Sequence, residues 1–584
     1  MASLSLKLKS RSESKRPSTS SMSRGETPEI GSKRLLKAGA ILSLSFYFTI
    51  AAGINRGDEA WFLQVASRVA RGEVLYRDIF YGAGPLAVYA TLPFIRVIGV
   101  EVVAVKLVVA ISYTLSLLFG LRILRYLKAR RRARLSFIGL NLLLAPPSAV
   151  TPYQTLANAF LMATFATTVE AYPISEKPGR FYKVAALIGI WSGLCFVTKQ
   201  NIGVYGFAAA WTSLALSCFL IADVRPSGNP TALSIEREDG AHIRAGRSRA
   251  LDCRSARRDI SRPTFLRAFG PSLILLALTT ALALVPTLLS GGWSKFLEYG
   301  FINKTTYLRT GVPYASELLQ AIGAVRSPHP PGPSFQSPRL ALEMIFRAVQ
   351  LSSFLLPLLI VPIWPLGWRR SDRRYWVVFG CFMAAALAGL YPRADYRHML
   401  NAVPALLVGT VWAWEGWTGP RSAWRHKFDN LIASAVAASL SLAIALPLFQ
   451  LVKGYRVLSQ LPHFRGPLIE PALQAHLQWE TAFLRRLGTG ERLLLLTPHA
   501  GFFYLTTGLR NLTPYDYPLV TAFGLHGEEM IIEAIERGDI EVVCAQLQID
   551  EMRAAKIEDY VVRNLEPVAR FEEFTIYRRP RAMR

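Results

Sequence analysis

Uncharged stretches about as long as a bilayer is thick recur along nearly the whole of this chain, and they leave few folds open to it. A helix needs about 20 apolar residues to cross roughly 30 Å of hydrocarbon. Uncharged windows cover residues 38–55, 107–121, 135–169, 200–222, 268–294, 348–368, 375–392, 398–414 and 430–452. The 135–169 window is too long for one span and is broken by Pro146, Pro147 and Pro152, so it reads as two helices joined by a short loop. A shorter candidate lies at 182–198, which brings the expected total to about 11 spans. With 51% apolar and only 18% charged residues among 584, the chain is too apolar for an ordinary soluble protein of this size. A polytopic α-helical membrane protein is expected.

Orientation follows from where Lys and Arg collect. The basic clusters are KLKSRSESKR and SKRLLK at the start, RILRYLKARRRAR, EKPGRFYK, the Arg-rich 225–267 segment, WRRSDRR and GPRSAWRHK. If the spans alternate, all of them fall on one side. The positive-inside rule makes that side cytoplasmic, with the N terminus inside and the C terminus outside. Asp58, Glu59, the 146–154 loop, Lys199, the 293–339 segment and residues 393–398 then share the extracytoplasmic side. Most of the net charge of +27 lies in short cytoplasmic loops, where a topology signal accounts for it, so nucleic acid is not an expected partner. Cys195, Cys218, Cys253, Cys381 and Cys544 show no paired spacing, and neither a disulfide framework nor a metal cluster is indicated.

The chain divides into a basic, Ser-rich, disordered cytoplasmic tail at 1–34, a membrane domain at 35–452 and an extracytoplasmic α/β domain at 453–584. The first span follows the tail without the pattern of a cleavable signal peptide. Residues 58–100 form an outer loop with its own structure: DEAWFLQVASRVARG has helical periodicity, and PLAVYATLPFIRVIG reads as a helix lying in the interface. The 223–267 segment reads as a poorly ordered cytoplasmic linker, and AVRSPHPPGPSFQSPRL as a mobile stretch of outer loop. In the last domain, ERLLLLTP and IEVVCAQL read as strands, EEMIIEAIERGD as a helix and VARFEEFTIYRR as a closing strand or hairpin. A doubly wound sheet is compatible with this order, although no Gly-rich phosphate turn or nucleotide fingerprint is present.

Chemistry is suggested first by Asp58 and Glu59, adjacent carboxylates directly after the first span. A carboxylate at the edge of low dielectric takes a proton from an attacking hydroxyl or steadies a developing positive charge, the two demands of glycosyl transfer. Acids at a helix N-terminus also favour the macrodipole, and this pair fits that role too. Lys199, at the outer end of an apolar segment, suits a lipid-linked phosphate or snorkels to the interface. Arg393, Arg397 and His398 surround Asp395 and Tyr396. Arginine's planar donors match phosphate oxygens, and the same residues would also form an ion-pair cluster that anchors a helix end.

Three elements, GDEAWFLQVASRVARGEVLYRDIFYGAGPL, TKQNIGVYG and RADYRHMLNAVPALL, resemble the GT-C superfamily of polyprenyl-phosphate-sugar glycosyltransferases. Its bacterial protein-mannosyltransferase, aminoarabinose-transferase and lipopolysaccharide-core galacturonosyltransferase-like members come nearest. GFFYLTTGLRNLTPYDY is similar to a segment of their C-terminal domains, and the likeness covers most of residues 35–580. It implies a GT-C-like enzyme in a bacterial plasma membrane that moves a sugar from a polyprenyl-phosphate carrier to an extracytoplasmic glycan, lipid or protein. Asp58 would be the base or acceptor-orienting carboxylate, supported by Glu59. Lys199, Arg393, Arg397 and His398 would hold the donor phosphate, and Asp78, Tyr81 and Tyr396 would shape the acceptor pocket. Asp78 also has Arg77 beside it as a pairing partner. Many relatives carry an acid near the start of the fourth span, where this chain has Gln154 and Asn158. An amide cannot neutralise a metal or act as a base at neutral pH, so metal dependence is open, and no structural metal or other cofactor is expected. The rival readings are a transporter or flippase of lipid-linked sugars, which would need inverted repeats and broken helices at the midplane, and a non-catalytic assembly subunit.

Overall fold

The computed structural model describes residues 53–144, 151–172, 178–219, 262–326, 338–368, 373–418, part of 430–447, 448–488, 490–546 and 553–580. The expected tail at 1–34, most of the first span, nearly all of the 223–267 linker and the centre of the Pro-rich stretch lie outside these residues.

The first helix, α1 (Asp58–Ala70), opens with both acids in its first turn, and no side chain caps it. Helix α2 (Leu86–Ile98) follows, with Pro93 inside it. Helix α3 (Val102–Tyr126) runs the depth of the bundle, about 37 Å at 1.5 Å per residue. The long uncharged window after it is two helices, α4 (Arg131–Leu144) and α5 (Pro152–Glu170), as its prolines dictate. Helices α6 (Pro178–Phe196) and α7 (Gln200–Phe219) are joined by a tight turn that holds Lys199. Helix α8 (Arg262–Leu289) leads into a segment expected as loop and found as short helices: α9 (Trp293–Leu297), a π-helical turn (Glu298–Ile302), α10 (Lys304–Arg309) and α11 (Tyr314–Arg326). Helices α12 (Pro338–Trp368), α13 (Arg373–Ala388) and α14 (Tyr396–Thr418) complete the bundle.

Among the described residues, two helical stretches, Val102–Tyr126 and Phe265–Leu289, are long and apolar enough to cross a membrane by length and composition, each with mean hydropathy 2.2. The others carry polar residues that point into the bundle: Gln154, Asn158, Thr164, Thr167 and Thr168 of α5 are all buried. Helix α8 shows the opposite pattern. Leu266, Leu273, Ile274, Leu278, Leu282 and Leu289 are exposed along it. Contiguous apolar surface of that kind faces lipid or a partner, not water.

Loops expected on the two sides gather at the two ends of the bundle. At one end Arg122 pairs with Glu170 (2.5 Å) and Arg130 with Glu415 (3.6 Å). At the other, the segments carrying Asp58, Tyr153, Lys199, Lys304 and Asp395 meet, as described below.

The C-terminal part opens with a two-stranded ribbon of β1 (Val457–Leu458) and β2 (Leu468–Ile469), followed by α15 (Pro471–Gly488). Its main sheet contains β3 (Leu493–Leu496), β4 (Val542–Ala545), β5 (Glu566–Phe571) and β6 (Phe574–Arg578) in the order β3-β4-β6-β5. Only β3 and β4 are parallel, and β5 and β6 form the closing hairpin, so the sheet is mixed and not doubly wound. Between β3 and β4 lie α16 (Ala500–Thr507), α17 (Val520–Phe523) and α18 (Gly527–Arg537); α19 (Ala555–Asn564) precedes the hairpin.

This part shares one hydrophobic core with the 58–100 loop. Phe62, Tyr81, Phe464, Phe502, Phe503 and Val543 belong to the same buried cluster. Helix α16 meets α1 almost backbone to backbone: a Cβ on Gly501 would stand 2.8 Å from Cα of Trp61. A buried polar knot seals the seam. Arg68 of α1 donates to Asp516 (2.9 Å) and to the Thr513 carbonyl (3.0 Å), while Asn511 and Gln64 also donate to Asp516 (2.8 and 3.4 Å). The hydrogen bonds from Asn511 and Gln64 offset part of the cost of burying the Arg68–Asp516 pair.

Candidate active site

Asp58 sits half-buried at the start of α1, where the chain turns from Asn55 to Gly57; Gly57 N donates to Asn55 Oδ1 (3.0 Å). Its neighbour has a different environment. Glu59 is 6% exposed, accepts from Lys106 Nζ of α3 (2.8 Å) and from the Asn55 amide (3.3 Å), and Lys106 also bonds the Gly53 carbonyl (2.9 Å). That pairing makes Glu59 the anchor of α1, while Asp58 keeps the half-exposed position.

Four aromatic rings line the region next to Asp58. Trp61 stacks on Tyr517 of the C-terminal part (5.7 Å) and lies 5.7 Å from Tyr81; Tyr153, at the start of α5, stands edge-on to both Trp61 and Tyr81 (6.3 and 6.4 Å). Tyr81 is fully buried and its hydroxyl has no partner among the described residues. Tyr153 lies close enough to both Asp58 and Asp395 to feel their charges.

Cations enter from the other side. Lys199 Nζ is 6.0 Å from the Tyr153 ring centroid, at the range where an ammonium is drawn to a ring face. Its turn is held by the first outer loop: Gly84 N donates to the Thr198 carbonyl (3.2 Å) and Leu86 N to the Val197 carbonyl (3.1 Å). A Cβ at Gly84 would meet the Val197 carbonyl oxygen at 2.1 Å, so only glycine permits the approach. Lys304, which sequence reasoning missed, donates to Gln200 Oε1 (3.0 Å). Burial pushes the Lys304 ammonium down to about 8, helped by the charge of Lys199. Burial likewise lowers Lys199 to about 8, opposed by Asp395. Gln200 Nε2 is buried and finds no partner among the described residues.

The 393–398 turn closes this side. Asp395 accepts from Arg393 Nε (3.3 Å) and pairs with His398 Nδ1 (2.8 Å), whose Nε2 reaches the Tyr307 hydroxyl (3.2 Å). Burial disfavours the Asp395 carboxylate, but the His398 hydrogen bonds and the Arg393 charge outweigh it and hold the group well below the usual carboxylate range. The turn is fastened to the 293–339 segment where Ala394 N donates to the Val312 carbonyl (3.0 Å). The ion pair expected as the alternative to phosphate binding is therefore present between Arg393 and Asp395. The Arg397 side chain lies outside the described residues.

Two other expected site residues have partners within their own surroundings. Asp78 accepts from Arg77 (2.9 Å) and from the Val74 amide (2.8 Å), and Tyr396 packs on Phe354 (6.5 Å). Among the described residues no group of three or more His, Cys, Asp and Glu stands together as metal ligands would. Tyr153, Lys304 and Tyr307 gave no sequence signal beyond residue type. Their place at the site comes from loops that meet only in the folded chain.

No family model and no curated protein matches the sequence. Solved structures do resemble it. ArnT from Cupriavidus metallidurans bound to undecaprenyl phosphate superposes with a TM-score of 0.50 at 14% identity, over 95% of this chain and 99% of that one. Its apo state gives 0.50 at 13% identity over the same shares. The chain shares its fold with ArnT. The oligosaccharyltransferase AglB from Archaeoglobus fulgidus, in complex with an inhibitory peptide and a dolichol-phosphate, gives 0.46 at 13% identity over 89% and 69% of the two chains. In this protein, one acid and three cationic side chains, Asp58, Lys199, Lys304 and Arg393, come from four separate segments to one end of the bundle.

Proposed function

We propose that this protein is a membrane glycosyltransferase that moves a sugar from a polyprenyl-phosphate carrier to an acceptor outside the cytoplasm. One observation carries the reading: Asp58 and Lys199 both lie near the Tyr153 ring, Lys304 lies near Lys199, and Arg393 and Asp58 both act on Tyr307, so that an acid and a group of cations share one end of the bundle. That ArnT shares the fold and binds undecaprenyl phosphate supports the same assignment.

In this reading the acceptor hydroxyl oxygen attacks the anomeric carbon while the bond from that carbon to the phosphate oxygen breaks. The bonding pair leaves with the phosphate, whose added negative charge Lys199, Lys304 and Arg393 stabilise. Asp58 takes the acceptor's proton, and attack from the face opposite the leaving group inverts the anomeric centre. The activated phospholipid sugar supplies the driving force, so no nucleotide is needed.

The test is mass spectrometry of envelope glycans, lipids and glycoproteins from cells lacking the gene, complemented with wild type or with Asp58→Asn. Loss of one sugar increment that wild type restores and Asp58→Asn does not is the expected result. Asparagine keeps the shape and still serves a helix start, while turnover should fall by a factor on the order of 10² to 10⁴, the scale of a positioned proton acceptor. Identical glycan profiles with and without the gene would overturn the reading.

A further inference from the structure

The C-terminal part carries a second group of side chains that the transfer site does not use. On α15, Trp479 is 50% exposed and lies 4.2 Å, centroid to centroid, from Phe571 of β5, which stacks flat on Phe483 (3.7 Å, 3°). This ladder fixes the orientation of a half-exposed aromatic face.

Polar groups border it. His476 stands 6.2 Å from the Trp479 ring, with Nε2 3.5 Å from Oε1 of Glu480. Glu480 is only 4% exposed, and its Oε2 has no hydrogen-bond partner among the described residues. Gln546 accepts from Thr497 Oγ1 (2.7 Å) and donates to Glu573 Oε2 (2.6 Å), and Glu573 lies close enough to act on the Glu480 charge. His499 Nδ1 is a second buried atom left without a partner. Arg56, two residues before Asp58, acts electrostatically on both Glu480 and His499. The group therefore borders the strand of chain that leads into the candidate base.

A buried carboxylate oxygen with an unmade hydrogen bond costs free energy unless something completes it. A lipid tail would leave Glu480 unanswered. A pyranose ring answers both features, laying its C–H face on the indole and donating hydroxyls to the carboxylate and imidazole. We propose that this patch is a saccharide-binding subsite that receives a glycan acceptor for the transfer described above. The acceptor role rests on that reading; the binding itself does not.

Isothermal titration of the purified full chain in detergent, without donor, with maltoheptaose, mannopentaose and chitopentaose in turn tests it. Saturable binding of at least one is expected. Trp479→Ala should weaken that binding about ten-fold or more, the scale of removing an aromatic anchor, while Trp479→Phe, which keeps a ring on Phe571, should retain most of it. Glu480→Gln should weaken it several-fold without loss of the ring, which keeps the test sharp even if the alanine variant fails to fold. Asp58→Asn should bind the saccharide as wild type does, so a failed transfer reading and a failed subsite give different results. No binding of any of the three sugars by wild type, or unchanged binding in folded Trp479→Ala or Glu480→Gln, would overturn the proposal.

Discussion

Asp58 and Glu59 are adjacent in sequence, yet their surroundings assign them different work. Glu59 is sealed against Lys106 at 2.8 Å, so replacing it leaves an ammonium buried without its counter-charge. Glu59→Gln should lower stability by about 3–5 kcal/mol, the usual cost of breaking a buried pair, and differential scanning fluorimetry should show it as a marked fall in melting temperature. Turnover per folded molecule should change far less than for Asp58→Asn; a folded, fully stable but inactive Glu59→Gln protein would move Glu59 into the chemistry. The two lysines allow a second prediction, from their titration. Both are lowered to about 8 by burial, so each is charged below that value and loses its proton as pH rises through it. Phosphate binding by these groups should therefore be strongest below about pH 8 and weaken above it, seen as a rising KM for the lipid-linked donor between pH 7 and 9.5. A Lys199→Arg, Lys304→Arg double variant keeps its charge at high pH, and its donor KM should stay flat over the same interval. An identical rise in both proteins would assign the pH dependence to another group.

At the level of elements, the site depends on contacts between segments far apart in sequence, and the turn holding Lys199 shows this most directly. Two backbone hydrogen bonds from the 84–86 stretch fix it, and Gly84 allows them because no Cβ stands between the chains. Gly84→Ala should push the turn away, costing on the order of 1–3 kcal/mol as overpacked sites do. The functional signature would be a raised donor KM with a smaller change in kcat, measured in a steady-state transfer assay; an unchanged KM would show that the Lys199 position is not set there. The sequence made individual elements legible. Pro146, Pro147 and Pro152 split one apolar window into two helices, and short apolar runs bounded by polar residues announced β3, β4 and the closing hairpin. It could not announce their partners. Arg68 and Asp516 are separated by 448 positions, and nothing in either residue's neighbourhood names the other. Tyr153, Lys304 and Tyr307 gave no signal for the same reason: a single polar residue on a helix names no distant partner, and its value appears only where α5, α10 and α14 converge. The 293–339 segment, expected as a loop, holds three elements of 5 or 6 residues, too short to show a pattern, and the 13-residue α11.

For the whole molecule, the alternation of charged ends is the feature that sequence and structure share most fully. Basic residues at 122, 130 and 180 lie toward the end of the bundle where Arg122 meets Glu170 and Arg130 meets Glu415. The residues at 58, 199, 304 and 395 gather at the other end with the C-terminal sheet. The two ends of the bundle thus differ in charge as an alternating set of spans would predict, while among the described residues two helices satisfy a strict apolar criterion and others bury polar groups such as Gln154 and Asn158 inside the bundle. Which end faces the cytoplasm is a separate question, and the rule that Lys and Arg are retained on the cytoplasmic side predicts that it is the end with Arg122 and Arg130. Two exposed positions, Arg131 at the start of α4 and Arg486 near the end of α15, test this in intact cells expressing a background with the native cysteines replaced. Arg131→Cys should be shielded from a membrane-impermeant maleimide until the cells are permeabilised, whereas Arg486→Cys should react at once. Immediate labelling at position 131 with protection at 486 would reverse the orientation. Since the donor and acceptor would then have to meet Asp58 on the cytoplasmic side, that result would remove the extracytoplasmic acceptor from the proposed reaction while leaving the geometry of the site intact.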